Sequence, residues 1–383
     1  MLTSSRRLAL LALVPVLLWF LLLTLFHRDL VIDEYPHMNG IRHFAEGRWS
    51  LPPDLPMLPG YHVLMSLPSR LVGVHGTAVR FGSVLLAALL LAAHAATLRK
   101  LETPERSLLL LATLPVLFPF TALAYTEVAA LAFLLAGLAL QVRNKPALAW
   151  IALLAACLVR QSNVLWVAFF GLWEMMDRRD LRRVAGHAAI LVAAVVFFVV
   201  RGRLSVGPVE EHAFLVNPAH LPSAGIWLGV LLAPLLVPEA RRLRPAKSLS
   251  LLLLGALALA LIYANPHPFN QDPLYLRNRV LLFLASGRVP AFLGSLVAMT
   301  AFALAWSRFR RDPQRKLLGA LLAASMIFLL LHPPIDPRYL IVPMALLFTI
   351  PSYHPAETVR LAIWQAFLCL GICWGILTGS WML

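Results

Sequence analysis

The chain has 383 residues, of which 60% are hydrophobic and only 13% are charged, and its formal net charge is +15. A composition this apolar excludes a soluble globular domain, which needs more polar surface than this chain can provide. We therefore interpret the positive charge as a signal that orients the chain in a membrane, and we expect no nucleic-acid partner.

Apolar stretches separated by charged residues and prolines predict membrane-spanning helices along the whole chain. The first lacks a clear small-residue cleavage pattern before His27, so we interpret it as a retained helix rather than a signal peptide. The stretches cover residues 7–26, 78–98, 107–122, 127–142, 184–200, 221–238, 248–264, 289–306, 317–331 and 361–380.

Residues 146–176 need a break in the middle. A single helix there would place the basic run at 178–183 on the outer side, whereas a break at residues 160–163 restores the alternation of charge. Such a break must be shielded by protein or line a wet cavity. With residues 339–352 as the weakest span, the sequence predicts an all-α, polytopic transmembrane bundle of about 11–13 helices in one domain, residues 1–383.

The basic residues orient this bundle. With the N-terminus in the cytoplasm, about 21 of the 33 lysines and arginines fall in cytoplasmic segments. The polar residues that could take part in catalysis or binding are then predicted on the outer side. Many of them lie in an acidic first outer loop at residues 27–76. Cys157, Cys369 and Cys373 fall within predicted helices at spacings that fit neither a metal motif nor a disulfide framework.

Asp33 and Glu34 are adjacent carboxylates just beyond the first predicted span. Such a pair can act as a general base or hold a metal. It can equally cap the helix that follows, because the helix dipole favours acids at an N-terminus. The residues alone leave these two interpretations open.

The other outer polar residues also allow two interpretations. Glu127 near a helix start is either part of a site or an N-terminal charge in water, and His212 is either a ligand or solvated. Arg160 at membrane depth needs a counter-charge or an anionic ligand. The remaining candidates either contact a phosphate or snorkel at helix ends; they are His267, Asn278, Arg279, Arg338 and Tyr339.

Seven motifs follow one another from residue 31 to residue 343. The first motif reads V-I-D-E-Y-P-H at residues 31–37 and continues with A-E-G-R-W at residues 45–49. Residues 160–167 read R-Q-S-N-V-L-W-V. The others are Asp54 with Pro59-Gly60, Y-T-E-V at 125–128, Gly207 with His212, H-P-F at 267–269 with Asn278-Arg279, and D-P-R-Y-L-I-V-P at 336–343. Taken in chain order, the seven motifs resemble those of the dolichyl-phosphate-glucose-dependent alpha-1,2-glucosyltransferases, which add the terminal glucose to the lipid-linked oligosaccharide.

The resemblance implies a GT-C-type inverting glycosyltransferase that moves a hexose, glucose by analogy, from a polyprenyl phosphate to a lipid-linked or exported glycan. It implies Asp33 as the catalytic base, with Glu34 as the fallback. No cofactor is required, and the binding of a weakly held divalent cation is left open. The implied substrate-binding residues are His37, Pro59, Gly60, Glu127, Arg160, Gln161, Asn163, His212, His267, Asn278, Arg279, Arg338 and Tyr339.

The resemblance places the enzyme in a membrane with its site on the non-cytoplasmic face. The arginine-rich, lysine-poor composition suggests a bacterial inner membrane and a site open to the periplasm or exterior; the corresponding eukaryotic membrane is that of the endoplasmic reticulum. The alternative function is a transporter or flippase of a lipid-linked sugar. Transporters usually contain paired halves, and no internal repeat is visible here, which favours the enzyme.

Overall fold

A computed structural model describes residues 4–27, 29–31, 33–50, 52, 55, 57–178, 181–202, 216–242, 245–265, 267–332, 334–351 and 353–381. These residues form helices and no strand, which confirms the predicted all-α class. They divide into two compact units, one of residues 1–112 and 117–213 and the other of residues 113–116 and 214–383. The single membrane domain over residues 1–383 stays a prediction.

The first unit contains nine α-helices among its described residues, and short 3₁₀ helices at Phe118–Ala122 and Gln161–Asn163. The α-helices are α1 (Ser4–Phe26), α2 (Glu34–Ala45), α3 (Gly60–Val72), α4 (Gly76–Lys100), α5 (Ser107–Ala112), α6 (Thr126–Val142), α7 (Pro146–Val159), α8 (Val164–Arg178) and α9 (Leu181–Arg201).

The described part of the second unit contains eight α-helices, and 3₁₀ helices at Pro268–Asn270 and Pro337–Leu340. The α-helices are α10 (His220–Leu231), α11 (Ala233–Ala240), α12 (Pro245–Ile262), α13 (Leu276–Ala285), α14 (Arg288–Phe309), α15 (Arg315–Leu330), α16 (Ile341–Leu347) and α17 (Pro355–Leu377).

Five of the described helices are long and apolar enough to cross a membrane on their own: α1, α4, α9, α14 and α17. The pair α10 and α11 would add a sixth span, although it bends by 92°. Shorter apolar helices lie at Thr126–Val142, Pro146–Val159, Leu249–Ile262 and Pro337–Leu347. An integral membrane protein is therefore supported, while the total of about 11–13 spans stays a prediction.

Two predicted spans are interrupted. Residues 107–122 form α5 and a 3₁₀ helix rather than one helix, and Pro115 and Pro119 lie in the interruption and at the start of the 3₁₀ helix. The stretch 221–238 bends at Leu232, next to Pro234 in the first turn of α11. Proline lacks the backbone N–H of a helix interior and clashes with the preceding turn, which explains why uninterrupted helices fail at these points.

Large apolar side chains remain exposed on the long helices. Leu18, Phe26, Val199 and Phe367 are examples from α1, α9 and α17, and each exposes a large share of its surface. In water such surfaces would be unfavourable, whereas acyl chains of a bilayer cover them without cost. These helices therefore present faces suited to lipid.

An apolar core fixes α2 and α3 onto α4, α6 and α7. Met38 and Ile41 of α2 join Tyr61 and Met65 of α3 in one buried cluster, together with side chains of α4, α6 and α7. The sequence allows a helix after Asp33 and Glu34, which is α2, but it does not predict α3. Because both loop helices are packed rather than loose, the polar residues at their N-termini are held in defined positions.

Candidate functional site

A fully buried ion pair joins α2 to α4. Glu34 and Arg80 are 0% and 1% exposed. Arg80 donates through Nε to Oε1 of Glu34 at 3.0 Å and through Nη2 to Oε2 at 2.5 Å. The pair therefore has the two-pronged geometry that gives arginine–carboxylate contacts their directional strength.

Backbone groups complete the coordination of both side chains. The amides of Ala124 and Val31 donate to Oε1 and Oε2 of Glu34 at 2.7 and 2.8 Å. Arg80 donates to the carbonyl oxygens of His27 and Asp29, each at 2.8 Å. Each carboxylate oxygen of Glu34 thus accepts two hydrogen bonds, so its engagement extends well beyond a helix cap.

Asp33 differs from its neighbour in both burial and contacts. It is the N-cap residue of α2, yet its side chain makes no capping hydrogen bond to that helix. It is only partly buried. The adjacent carboxylates therefore have separate environments, one buried in a hydrogen-bonded cluster and one accessible to solvent.

Two histidines meet beneath the start of α2. Nδ1 of His37 lies 3.0 Å from Nε2 of His62, and both rings are buried. Burial lowers the pKa of His62 well below its ordinary range, and the electrostatic interaction with His37 acts in the same direction. His62 is therefore neutral near pH 7, and its contribution to this pair is a hydrogen bond rather than a positive charge.

Two tyrosine rings surround His37. The centroids of the Tyr61 and Tyr125 rings lie 5.8 and 5.7 Å from that of His37, both in edge-on arrangements. Burial raises the pKa of the Tyr61 phenol, and the negative charges of Glu34 and Glu127 raise it further. Tyr61 therefore stays protonated near pH 7 and brings an aromatic wall with a hydroxyl to the cluster.

The predicted break between α7 and α8 is confirmed. Helix α7 ends at Val159, a 3₁₀ turn follows, and α8 begins at Val164. Nη1 of Arg160 donates to Oε1 of Glu127 at 2.5 Å. Glu127 lies in the first turn of α6, as predicted. Of the two partners that the sequence allows for Arg160, the structure contains the counter-charge, and Arg160 remains partly exposed beside it.

The other motif residues of the first unit stabilise this break. Oε1 of Gln161 accepts from the amide of Leu58 at 3.3 Å, and Asn163 donates to the carbonyl of Ala156 at 2.8 Å. Gly60 follows Pro59 and begins α3; a Cβ atom at Gly60 would lie 2.6 Å from the backbone of Leu158. A side chain there would force the two segments apart, so glycine allows the close approach.

Asn270 and Asn278 form a hydrogen-bonded centre in the second unit. Asn270 donates to Oδ1 of Asn278 at 3.3 Å, and it exchanges hydrogen bonds with the backbone of Ile335. Asn278 also donates to the carbonyls of Phe269 and Asp272. His267, which lies just before this centre, accepts from the amide of Phe269. The arrangement gives Asn278 a structural role in joining α13 to the segment that precedes it.

Asp336 binds two arginines close to that centre. Arg338 and Arg277 approach one of its oxygens at 2.7 and 3.4 Å. Burial alone would raise the pKa of Asp336, but the two arginines and their hydrogen bonds lower it to about 2. Asp336 is therefore ionised near pH 7, and Arg338 has a counter-charge inside its own unit.

The remaining candidates have varied surroundings. The Tyr339 ring lies 4.3 Å from that of His332. Arg279 is exposed and donates to the carbonyls of Pro273 and Ser380. His212, in the range 203–215, lies outside the described residues. Asp54 also lies outside them. Sequence reasoning missed Arg80, His62, Asn270 and Arg277; of these, an arginine inside the apolar stretch 78–98 was a usable sign of a buried acid.

Comparison with known proteins shows a family similarity over the motifs of the first unit. Residues 27–185 match the model of the DIE2/ALG10 family. The match agrees with the resemblance to alpha-1,2-glucosyltransferases seen in the motifs, and it indicates a glycosyltransferase, as predicted. No curated protein sequence matches the chain.

The DIE2/ALG10 match covers the part of the first unit in which the predicted residues come together. It includes the acidic pair, His37, Pro59-Gly60, Glu127 and the break at 160–163. The candidates in the second unit and His212 lie beyond it. The family pattern is therefore supported where the buried Glu34–Arg80 pair and the Glu127–Arg160 pair are found.

A similar solved structure is the crystal structure of ArnT from Cupriavidus metallidurans in the apo state. The identity is 16%, the TM-score is 0.46, and the alignment covers 99% of this chain and 78% of ArnT. A similarity at this level does not identify a function.

Proposed function

We propose that the chain transfers a hexose, glucose by family analogy, from a polyprenyl phosphate to a lipid-linked or exported glycan, with inversion at the anomeric carbon. The observation that carries this proposal is the contrast between Asp33, partly buried at the start of α2, and Glu34, locked in a buried network beside it. The contrast favours Asp33 over Glu34 as the base, because the oxygens of Glu34 are already engaged.

The proposed reaction needs one base and one group that accepts negative charge. The acceptor hydroxyl attacks the anomeric carbon as its proton passes to Asp33, a new glycosidic bond forms, and the bond to the lipid phosphate breaks. The phosphate leaves with the electron pair of that bond. This assignment uses a carboxylate where the reaction needs a base and requires no redox cofactor.

Arg160 is the proposed contact for the donor phosphate in the first unit. Its guanidinium pairs with Glu127 on one side and remains partly exposed. A guanidinium carries more donors than one carboxylate uses, so it can bind a phosphate oxygen while it keeps its counter-charge. The roles of Arg279 and Arg338 as phosphate contacts are further parts of the proposal.

The proposal also includes the GT-C fold type and the orientation of the enzyme. The short basic segments support a cytoplasmic position for Arg99, Lys100 and residues 308–316, which leaves the motif residues on the other side. In a bacterium that side is the periplasm or the exterior. The polyprenyl chain of the donor and the lipid of the acceptor fit a protein with lipid-facing helices.

The test is a transfer assay with purified, reconstituted protein, radiolabelled polyprenyl-phosphate-glucose and a lipid-linked oligosaccharide fraction as acceptor. We expect label in the oligosaccharide and release of polyprenyl phosphate in equal amounts. Polyprenyl-phosphate-mannose in parallel tests the sugar preference. Movement of intact donor across the vesicle membrane without a glycosylated product would instead support the transporter or flippase alternative.

Replacement of Arg160 tests the phosphate contact. Arg160→Ala is expected to raise the apparent KM for the donor by about 10-fold to 100-fold, since a hydrogen bond to a charged group contributes about 1.5–3 kcal/mol. Steady-state transfer at varied donor concentration measures the effect. Arg143→Ala, an exposed arginine just after α6, is the matched control. An unchanged donor KM in the folded Arg160 variant would exclude the phosphate role.

A further inference from the structure

The Glu34–Arg80 pair connects the segment that carries Asp33, the proposed base, with the segment that leads to Glu127, the partner of Arg160. Glu34 binds the amide of Val31, which lies two residues before Asp33, and the amide of Ala124, which lies three residues before Glu127. One buried carboxylate thus contacts both the segment that carries Asp33 and the segment that leads into α6.

Arg80 secures the same segment from its other end. Its guanidinium donates to the carbonyls of His27 and Asp29 while it binds both oxygens of Glu34. The chain before Asp33 is therefore held by hydrogen bonds on both sides, and the anchor itself belongs to α4, a helix long and apolar enough to span. Asp33 sits on a fixed support although it is partly exposed.

Stability alone does not require such a pair. Two charges buried together lose their hydration, and apolar residues of similar volume often stabilise a protein equally well. What a buried pair adds is a single defined geometry, because its hydrogen bonds form in one arrangement. Two other ion pairs, Glu174 with Arg183 and Glu239 with Arg311, leave their arginines 26% and 44% exposed, whereas Arg277 beside Asp336 is 7% exposed.

We infer that Glu34 and Arg80 are positioning residues, which hold the proposed base Asp33 at a fixed distance from the Glu127–Arg160 pair. This inference rests on the proposed function, because it assigns the network a task in sugar transfer. Arg80 acts through the geometry of Asp33 and does not touch the substrate.

The experiment measures kcat and KM for Arg80→Lys and Glu34→Asp, each alone and combined with Asp33→Asn, with polyprenyl-phosphate-glucose as donor. Both changes keep the charge and alter the geometry, since lysine lacks the two-pronged contact and aspartate is one methylene shorter. We expect each to lower kcat by about 10-fold to 100-fold, as misplacement of a reacting group by about 1 Å does. The donor KM should change by less than about 3-fold.

The combined variants separate positioning from a general structural effect. If the pair acts through Asp33, each change should lower the residual rate of Asp33→Asn by less than about 3-fold, because the group that it positions is already lost. Arg183→Lys is the matched control, because it alters an acid–base pair of the same unit outside the cluster; its kcat should stay within about 2-fold of wild type.

Three results would overturn the inference: a kcat within about 3-fold of wild type for both single variants, an equal loss in both backgrounds, or failure of both variants to fold, which would show that the pair serves the fold as a whole. The proposed function fails differently. In that case the wild-type protein transfers no sugar, or Asp33→Asn retains the wild-type rate.

Discussion

Replacement of Asp33 by asparagine is expected to lower the rate of sugar transfer by about 10²-fold to 10⁴-fold, the usual contribution of a positioned general base. The amide has nearly the same shape as the carboxylate but cannot accept a proton from the acceptor hydroxyl. The side chain of Asp33 is only partly buried and does not cap α2, so the isosteric amide removes neither a core contact nor a helix cap. Radiolabelled transfer by the reconstituted protein measures the loss.

Asp29→Asn provides the control for this prediction. Asp29 lies in the same loop and its side chain is exposed, while its carbonyl oxygen keeps the hydrogen bond from Arg80. Its transfer rate should stay within about 2-fold of wild type, as surface substitutions usually have small effects. If Asp33→Asn and Asp29→Asn were equally active, the assignment of the base to Asp33 would be wrong.

Replacement of Arg80 by methionine is expected to have the largest effect on stability. The change leaves the carboxylate of Glu34 buried without its guanidinium partner, and loss of one member of a buried pair costs about 3–5 kcal/mol in the free energy of unfolding. It also removes the donors to the carbonyls of His27 and Asp29. Thermal unfolding in detergent, followed by tryptophan fluorescence, measures the loss.

A second substitution separates the charge effect from simple packing. The double variant Glu34→Leu with Arg80→Met removes both buried charges, so it should recover part of the stability that Arg80→Met loses. Arg42→Met on the exposed face of α2 serves as the control and should change the free energy of unfolding by less than about 0.5 kcal/mol. Equal stability of Arg80→Met and wild type would contradict the buried-pair argument.

Local pattern predicts a good part of the candidate site. The break at residues 160–163 follows from charge alternation, and the position of Glu127 follows from the start of an apolar stretch. Both are found, because each depends on neighbouring residues along one segment. The motif order also predicts the family model that residues 27–185 match, since it depends on residue types and not on their packing.

Partners distant along the chain are harder to predict. Glu34 and Arg80 are 46 residues apart, and His37 and His62 are 25 apart. Periodicity within one helix says nothing about which other helix it meets. Arg80 gives a partial sign, because a charge within an apolar stretch needs a partner, but the sequence does not identify which acid supplies it.

Helix interruptions are the other main difference between expectation and structure. Hydropathy sums over residues 107–122 and 221–238 suggest continuous spans, yet both regions contain prolines that interrupt or bend the helix. A hydropathy average counts a proline only as one weakly polar residue. Its real effect is on backbone geometry, so the lengths of spans are predicted less well than their existence.

The buried network around Glu34 places few demands on the residues that surround it. Four of its contacts use main-chain groups, namely the amides of Val31 and Ala124 and the carbonyls of His27 and Asp29. Side-chain replacement leaves a carbonyl in place, and among natural residues only proline lacks the amide N–H. Two side chains, those of Glu34 and Arg80, therefore specify all the hydrogen bonds of the anchor. A relative that keeps both could carry other side chains at the four neighbouring positions, except proline at the two amides, without losing these hydrogen bonds.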